Sequence, residues 1–405
     1  MAKIKLGIIK EGKTPVDHRV PFTPEEAKEL AEKFDNVDVV CQSSDVRCYK
    51  DDEYAQSGTR VVSDVSDCDV LMGVKEVPIP DLIPEKTYFF FSHTTKKQPY
   101  NRELLRAILD KKIRMIDYEN LTDSNGTRVV AFGRYAGIVG AYNGILTYGK
   151  RFRLFDIKPA HQCFDMAEMQ REYVKVKLPT MKIVVTGGGR VTKGAMEVLN
   201  GMGIRKVSPA QLLNERFDEV VYTQLNSRDY NKPKSGGEFV RQEFYNTPDK
   251  YDGDFLKYAR VADLMIAGAF WDPNAPVLFR REDVLKEDFR IKVIADVTCD
   301  IEGSIPSTLR PSTVDDPIYD YNPSQGTIEP PMKDEANITV MAVDNLPCEL
   351  PRNASEDFGR ELIDNVLPHL LGEDTEEVIK RATITEKGHL TEHFEYLQDY
   401  VDGKE

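Results

Sequence analysis

The sequence predicts an α/β protein built from two Rossmann-like domains with an interdomain cleft, and three observations carry that expectation. An apolar strand, Lys182 to Val185, runs directly into Gly187-Gly188-Gly189, which opens a helix-patterned segment. Short apolar runs alternate with helical or loop-like stretches through the first third of the chain, as in a mostly parallel sheet. Polar residues able to move protons follow several of those runs, where open α/β sheets form their ligand crevices.

In order along the chain, Ile4 to Ile9 reads as a strand and a helix starts at Thr23. There Thr-Pro-Glu-Glu supplies an N-cap, a proline for the first helical position and early negative charge. Apolar runs at Val37 to Val40, Val70 to Val74, Tyr88 to Phe91 and Ile113 to Ile116 read as further strands, and Arg102 to Leu109 as a helix. Ala131 to Tyr148 is rich in small residues (Gly133, Gly137, Gly140, Gly144), which let a helix lie close against a neighbour at a domain junction. Later strands are expected at Leu264 to Ile266 and Lys292 to Asp296, and the proline-rich stretch Pro306 to Pro331 reads as an irregular crossover. Ser355 to Leu371 carries Phe358, Leu362, Ile363, Val366, Leu367 and Leu370 on one broad helical face. The expected organisation is a substrate domain over 1–139, a dinucleotide-binding domain over 140–335 and a segment over 336–405 that returns to the first domain.

The glycine cluster is the entry to a dinucleotide-binding βαβ unit. Gly187 permits the tight turn, and Gly188 and Gly189 let the backbone of Arg190 and Val191 approach a pyrophosphate, whose charge rests on the helix N-terminal N–H groups. Thr192 stands where the fingerprint has its third glycine, and Gly194 follows. A bare structural turn is the competing reading, and the strand, turn, helix order favours a bound dinucleotide.

A chain of 405 residues is comfortable for two domains with real cores. Its net charge of −14 and pI near 5.1 disfavour nucleic acid and anionic membrane as partners. No apolar run is long enough to span a bilayer, and the start is charged (Lys3, Lys5, Lys10, Glu11), so a soluble cytoplasmic protein is expected. The six cysteines contain no CxxC and His161 near Cys163 is isolated, so the thiols read as reduced and no metal site is expected. Nothing in the sequence fixes an oligomeric state.

The chemistry is suggested by Lys75 and Glu76 after one strand, His93 after the aromatic strand, Asp296 and Asp300 after another, and Arg19 in the loop after the first. Each has an ordinary reading alone, as a solvated lysine, a satisfied histidine or a turn-forming aspartate. Together, a desolvated lysine and a histidine serve proton transfers on an amine or imine.

These stretches carry a specific resemblance. GVKEVP (73–78), FFSHTTKKQ (90–98), IDYENLTDSNGTRVVAFGRYAG (116–137), TGGGRVTKGA (186–195), DVTCDIEGSI (296–305) and VDNLPCELPRNASEDFG (343–359) are similar to the lysine–ketoglutarate reductase domain of the bifunctional aminoadipic semialdehyde synthases. They also resemble fungal lysine-forming saccharopine dehydrogenase, within the superfamily of alanine dehydrogenase and the transhydrogenase nucleotide subunit. The resemblance implies Lys75 and His93 as the acid–base pair, with Arg19, Glu76, Glu119, Arg128, Phe132 and Asp344 lining the substrate crevice and Asp300 at the nicotinamide ribose. It implies NAD(P)-dependent interconversion of saccharopine with L-lysine and 2-oxoglutarate.

For the cofactor, the segment after the first helix of the unit, Ile204 to Pro209, offers Ser208 where NAD enzymes place a carboxylate, with Arg205 and Lys206 beside it. NADP(H) is favoured on that ground, and the likeness to the NAD-using fungal enzyme keeps NAD(H) open. An alanine-type dehydrogenase and a non-catalytic NAD(P)-binding module are the alternatives. The long FFSHTTKKQ and AFGRYAG stretches favour saccharopine, and Lys75 and His93 together favour an enzyme.

Overall fold

The computed structural model describes residues 3–404. The chain forms two compact units, Met1–Phe132 with Pro351–Glu405, and Gly133–Leu350.

The first unit opens with β1 (Ile4–Ile8), and α1 (Pro24–Lys33) starts where the cap was expected. The Glu26 N–H donates to the Thr23 hydroxyl at 3.2 Å and the Thr23 N–H to the Glu26 carboxylate at 2.9 Å, a reciprocal capping box. Then come β2 (Val37–Gln42), β3 (Arg60–Val62), β4 (Val70–Met72), β5 (Thr87–Phe90), α2 (Arg102–Asp110) and β6 (Arg114–Asp117). These six strands are parallel and lie side by side as β3-β2-β1-β4-β5-β6. The order reverses between β1 and β4, so the loops after those two strands diverge and leave a crevice at their carboxyl ends.

The second unit begins with α3 (Gly133–Phe152), followed by β7 (Lys182–Thr186), α4 (Arg190–Gly201), the two-residue β8 (Arg205–Lys206), α5 (Pro209–Asn214) and β9 (Val221–Leu225). A hairpin of β10 (Asn231–Pro233) and β11 (Tyr251–Gly253) precedes β12 (Leu264–Ala267), β13 (Val293–Asp296), β14 (Ile318–Asn322), β15 (Thr327–Glu329) and β16 (Ile338–Met341). The main sheet reads β15-β14-β16-β13-β12-β7-β9-β8, with β14 and β15 antiparallel and the rest parallel. Its central strands are mostly apolar and almost wholly buried, as expected of parallel strands covered on both faces.

The chain then returns to the first unit. α6 (Pro351–Asn365) and α7 (Leu367–Leu371) place Phe358, Leu362, Ile363, Val366 and Leu367 in the core that holds Leu6, Ile8 and Leu30, and β17 (Thr383–Glu386) and β18 (His389–Leu390) extend the first sheet beyond β6. The expected single helix over 355–371 is two, because Pro368 in the first turn of α7 has no N–H to continue the ladder from α6.

Two boundaries and one stretch differ from the sequence expectation. The units divide at 133 rather than 140, because α3 is one unbroken helix laid against α4. Carbonyl oxygens fill the space a Cβ would need: 1.8 Å from the Val191 oxygen at Gly137, and 1.9 Å from the Arg134 oxygen at Gly194. The second division falls at 350 rather than 335, because β16 is a strand of the second sheet. The stretch 306–331 is no irregular crossover. It holds β14 and β15, whose antiparallel position tolerates flanking prolines, and β14 is tied in by the Thr339 hydroxyl donating to buried Asp320 at 2.6 Å.

Candidate active site

In the first unit, β4 and β5 are adjacent, and their pairing continues past both ends through Phe91 N–H to Val74 O at 2.9 Å. Lys75 and Glu76 therefore leave one strand end beside the end from which His93 leaves the other. His93 has φ +53°, the left-handed region that non-glycine residues rarely adopt. The turn is held from below by buried Asp117, at the end of β6, which accepts the Ser92 N–H at 2.9 Å, while the Ser92 and Thr94 hydroxyls meet at 2.8 Å.

Glu76 joins the cluster. One oxygen lies 2.7 Å from His93 Nδ1 and the other accepts from Lys13 Nζ at 2.6 Å. Burial works to raise this carboxyl, but the bonds from His93 and Lys13 outweigh it and bring it down to about 2. A carboxylate can only accept, so the imidazole proton sits on Nδ1 and Nε2 is left as the acceptor. Lys75 is depressed by burial and then by the Arg19 charge, so its amine is poised to take a proton.

Glu11, in the loop after β1, accepts the N–H groups of Val74 at 2.7 Å and Lys75 at 2.9 Å. Burial and the nearby Asp17 outweigh those bonds and push its carboxyl up to about 8. Buried Arg19 gives Nε and a terminal nitrogen to the two Asp17 oxygens at 2.9 and 2.5 Å and stacks over Phe132 with 4.1 Å to the ring centre. Phe132 in turn stacks on Phe358 at 4.3 Å. Glu119 lies 3.4 Å from both Lys96 and Arg128. The structure thus bonds Glu76 to His93 and Lys13, sets Lys75 beside them through its backbone bond to Glu11 and within reach of the Arg19 charge, stacks Arg19 on Phe132, and pairs Glu119 with Arg128 after β6. Asp344 belongs to the second unit, where it is exposed and its N–H donates to Ser312 O. Sequence reasoning missed Glu11, Lys13, Asp17 and Lys96 as site residues. Asp17 two residues before Arg19 was the one local signal.

In the second unit, Gly187 has φ +107°, and a Cβ there would lie 2.6 Å from the Thr192 hydroxyl and 3.1 Å from the Ala269 backbone. Only glycine fits this turn. At Gly189 a Cβ would meet nothing within 4 Å, so the space above the N-terminus of α4, opened by Arg190 and Val191, is clear. The Thr192 hydroxyl donates to Thr186 O at 3.0 Å and clamps the turn to β7, while close packing of the helix, the usual task of the third glycine, falls to Gly194. A positive-φ glycine, an open glycine and a helix N-terminus at the end of the central strand fit a dinucleotide pyrophosphate.

One expected cofactor residue is placed otherwise. Ser208 is not beside the glycine turn: β9 lies between β8 and β7, and the Ser208 hydroxyl caps α5 by accepting the Gln211 N–H at 3.2 Å. Asp300 follows β13 and is half-buried, and burial, then the Asp296 charge, raise its carboxyl. Asp296 itself faces inward, accepting the Thr298 and Thr308 hydroxyls at 2.6 Å each, and is a turn former.

Residues 7–139 match the family described as alanine dehydrogenase/PNT, N-terminal domain, and residues 160–397 match its C-terminal domain. The mitochondrial alpha-aminoadipic semialdehyde synthase of Mus musculus is 28% identical over 96% of this chain and 47% of its own length. The saccharopine dehydrogenase [NAD(+), L-lysine-forming] of Schizosaccharomyces pombe is 27% identical over 87% of this chain and 90% of its own. The chain spans about half the length of the synthases it matches. Among solved structures, an L-alanine dehydrogenase superposes with a TM-score of 0.63 at 17% identity, covering 99% of both chains. A transhydrogenase from Sinorhizobium meliloti superposes at 0.59 and 15%, covering 96% of this chain and 98% of its own. Both likenesses bear on fold alone. No helix of the described residues is long and apolar enough to cross a membrane. With both domains matched in order over most of its length, the chain belongs to the alanine dehydrogenase/PNT family of NAD(P)-dependent oxidoreductases.

Proposed function

We propose that this chain interconverts saccharopine with L-lysine and 2-oxoglutarate. The observation that carries the reading is the pair formed by Lys75, depressed by burial, and His93, oriented by Glu76, on neighbouring strand ends beside the β1–β4 switch point. Likeness to the aminoadipic semialdehyde synthases and to the lysine-forming saccharopine dehydrogenases supports the choice of substrate.

NAD(P) supplies a hydride acceptor or donor when bound to the glycine turn. In the oxidative direction, the neutral Lys75 amine takes the proton from the secondary amine as hydride leaves the glutaryl carbon. Water adds to the resulting C=N bond as His93 Nε2 takes one of its protons and passes it to nitrogen; the carbinolamine hydroxyl then gives up its remaining proton through His93 to nitrogen as the C=O bond forms and the C–N bond breaks, releasing L-lysine and 2-oxoglutarate. Glu76 steadies the imidazolium formed in between. Arg128 and Lys96, each 3.4 Å from Glu119, are the cations offered to substrate carboxylates. Arg19 is committed to Asp17 and acts on Lys75 through its charge.

The test follows NAD(P)H absorbance with L-lysine plus 2-oxoglutarate against ammonia plus pyruvate. Turnover with the first pair and none with the second supports the reading. The reverse result makes the chain an alanine-type dehydrogenase, and binding of NAD(P)H with no turnover of either pair makes it a nucleotide-binding module.

A further inference from the structure

In the second sheet, the third strand of the nucleotide unit, not the second, lies beside the glycine strand, because β9 stands between β7 and β8. The residue that reads the adenosine ribose in such folds sits at the end of the strand next to the glycine strand. Here that is the end of β9.

Several contacts join this end to the glycine turn. Gln224 Nε2 donates to Gly187 O at 3.1 Å, and a Cβ on Gly188 would lie 2.8 Å from Asn226 Oδ1. Lys206, on β8, reaches across and donates to Gln224 Oε1 at 2.8 Å, so its ammonium is held one side chain from the turn. Arg228 follows two residues past Asn226, exposed, and makes no hydrogen bond or ion pair among the described residues. Arg205 is spent elsewhere, on Glu219 at 2.7 Å and over the Phe217 ring.

The chemistry at this corner is one-sided. An amide, Asn226, stands where a carboxylate would select a free 2′-hydroxyl, with Arg228 two residues on and Lys206 held on Gln224 from the neighbouring strand. Asp229, three residues on, is turned back to accept the Asn226 N–H at 2.7 Å. Taking the NAD(P) reading as given, we propose that Asn226, Arg228 and Lys206 form a 2′-phosphate site that selects NADP(H) over NAD(H). The amide accepts or donates without charge, Arg228 forks onto the phosphate oxygens, and Lys206 adds a second positive charge from the opposite strand.

The test is calorimetric titration of the full chain with 2′,5′-ADP and with 5′-AMP, probes that differ only in the 2′-phosphate and need no turnover. The expected result is 2′,5′-ADP bound at least about tenfold tighter, the effect of one charge-assisted hydrogen bond. Arg228→Ala and Lys206→Ala should each remove most of that advantage, and Arg228→Ala, which touches no group bonded to the glycine turn, should leave 5′-AMP affinity within about twofold. Asn226→Asp should invert the order, and Ser208→Ala should change neither affinity. Equal binding of the two probes overturns the phosphate site and leaves the dinucleotide reading standing. An advantage that survives loss of both Arg228 and Lys206 also overturns it. Failure of both probes and of NADPH to bind removes the dinucleotide reading itself.

Discussion

The contact between α3 and α4 yields a sharp test of how the nucleotide turn is positioned. Gly194→Ala would put a Cβ 1.9 Å from the Arg134 carbonyl oxygen and 3.1 Å from the Ile138 nitrogen, all backbone atoms of a facing helix. Even a 3.0 Å contact, shorter than real Cβ atoms show, requires the helices to part by about 1 Å. Overpacking of this kind costs about 3 kcal/mol, and the better helix propensity of alanine returns about 1, leaving a net loss of about 2 kcal/mol. Gly201→Ala, at the other end of α4, is the matched control. Its Cβ meets a side chain, the Tyr173 ring, at 2.9 Å rather than backbone at 1.9 Å, so it should cost less than Gly194→Ala. Because α4 begins at the glycine turn, shifting it by about 1 Å also misaims its N-terminal N–H groups and should weaken NADPH by about tenfold or more. Denaturant midpoints and NADPH fluorescence titration measure the two effects. If Gly194→Ala matches Gly201→Ala in both, the close approach of α3 to α4 does not hold the turn.

Lys75→Met and His93→Gln should each lower saccharopine turnover by about a hundredfold or more and leave NADPH affinity unchanged, and near-normal kcat in either variant would remove that residue from the acid–base pair. Glu11 is raised to about 8, so its protonated form stabilises the fold below the usual carboxylate range and that contribution is lost as pH rises through about 8; Glu11→Gln should therefore gain on the unmodified protein in Tm between pH 5 and 9, and parallel curves would show that the carboxyl is not buried as placed. Glu76 is lowered to about 2, so its contribution is present above the usual range and lost as pH falls toward 2; Glu76→Gln should cost stability at pH 7 and progressively less below pH 4.

Much of the fold was legible because its strands are short apolar runs whose ends are punctuated by charge or glycine. Val70 to Val74 and Tyr88 to Phe91 overran or shifted the true strands by a residue or two, yet Lys75 and His93 still fall just past their ends. Parallel order does the rest: once β4 and β5 are neighbours, residues leaving both carboxyl ends must meet. The partners were illegible for the same reason. Glu11 and Lys13 sit in a loop with no periodicity, more than sixty residues from the backbone and side-chain groups they bind, and only the β1–β4 neighbourhood brings them together.

The ribose corner shows where reading by sequence order fails. Counting about twenty residues from the first glycine reaches the segment at Ser208, and that rule assumes that the second strand in sequence is also the neighbour of the first in space. Here β8 is a two-residue edge strand with both residues exposed, so it buries nothing against the sheet. β9, with Val221, Tyr222, Thr223 and Leu225 buried, takes the place beside β7. Burial decides which strand takes the inner place, and an apolar run outcompetes Arg205-Lys206 there. Counting alone would place the selecting residue on a strand that never touches the glycine strand. Comparing the apolar content of the two runs, IRKVS against VVYTQL, points to β9 and so to Asn226 and Arg228. If Ser208→Asp changes the preference between 2′,5′-ADP and 5′-AMP while Asn226→Asp does not, the inner strand in solution is β8, and the strand order proposed to set cofactor choice is wrong.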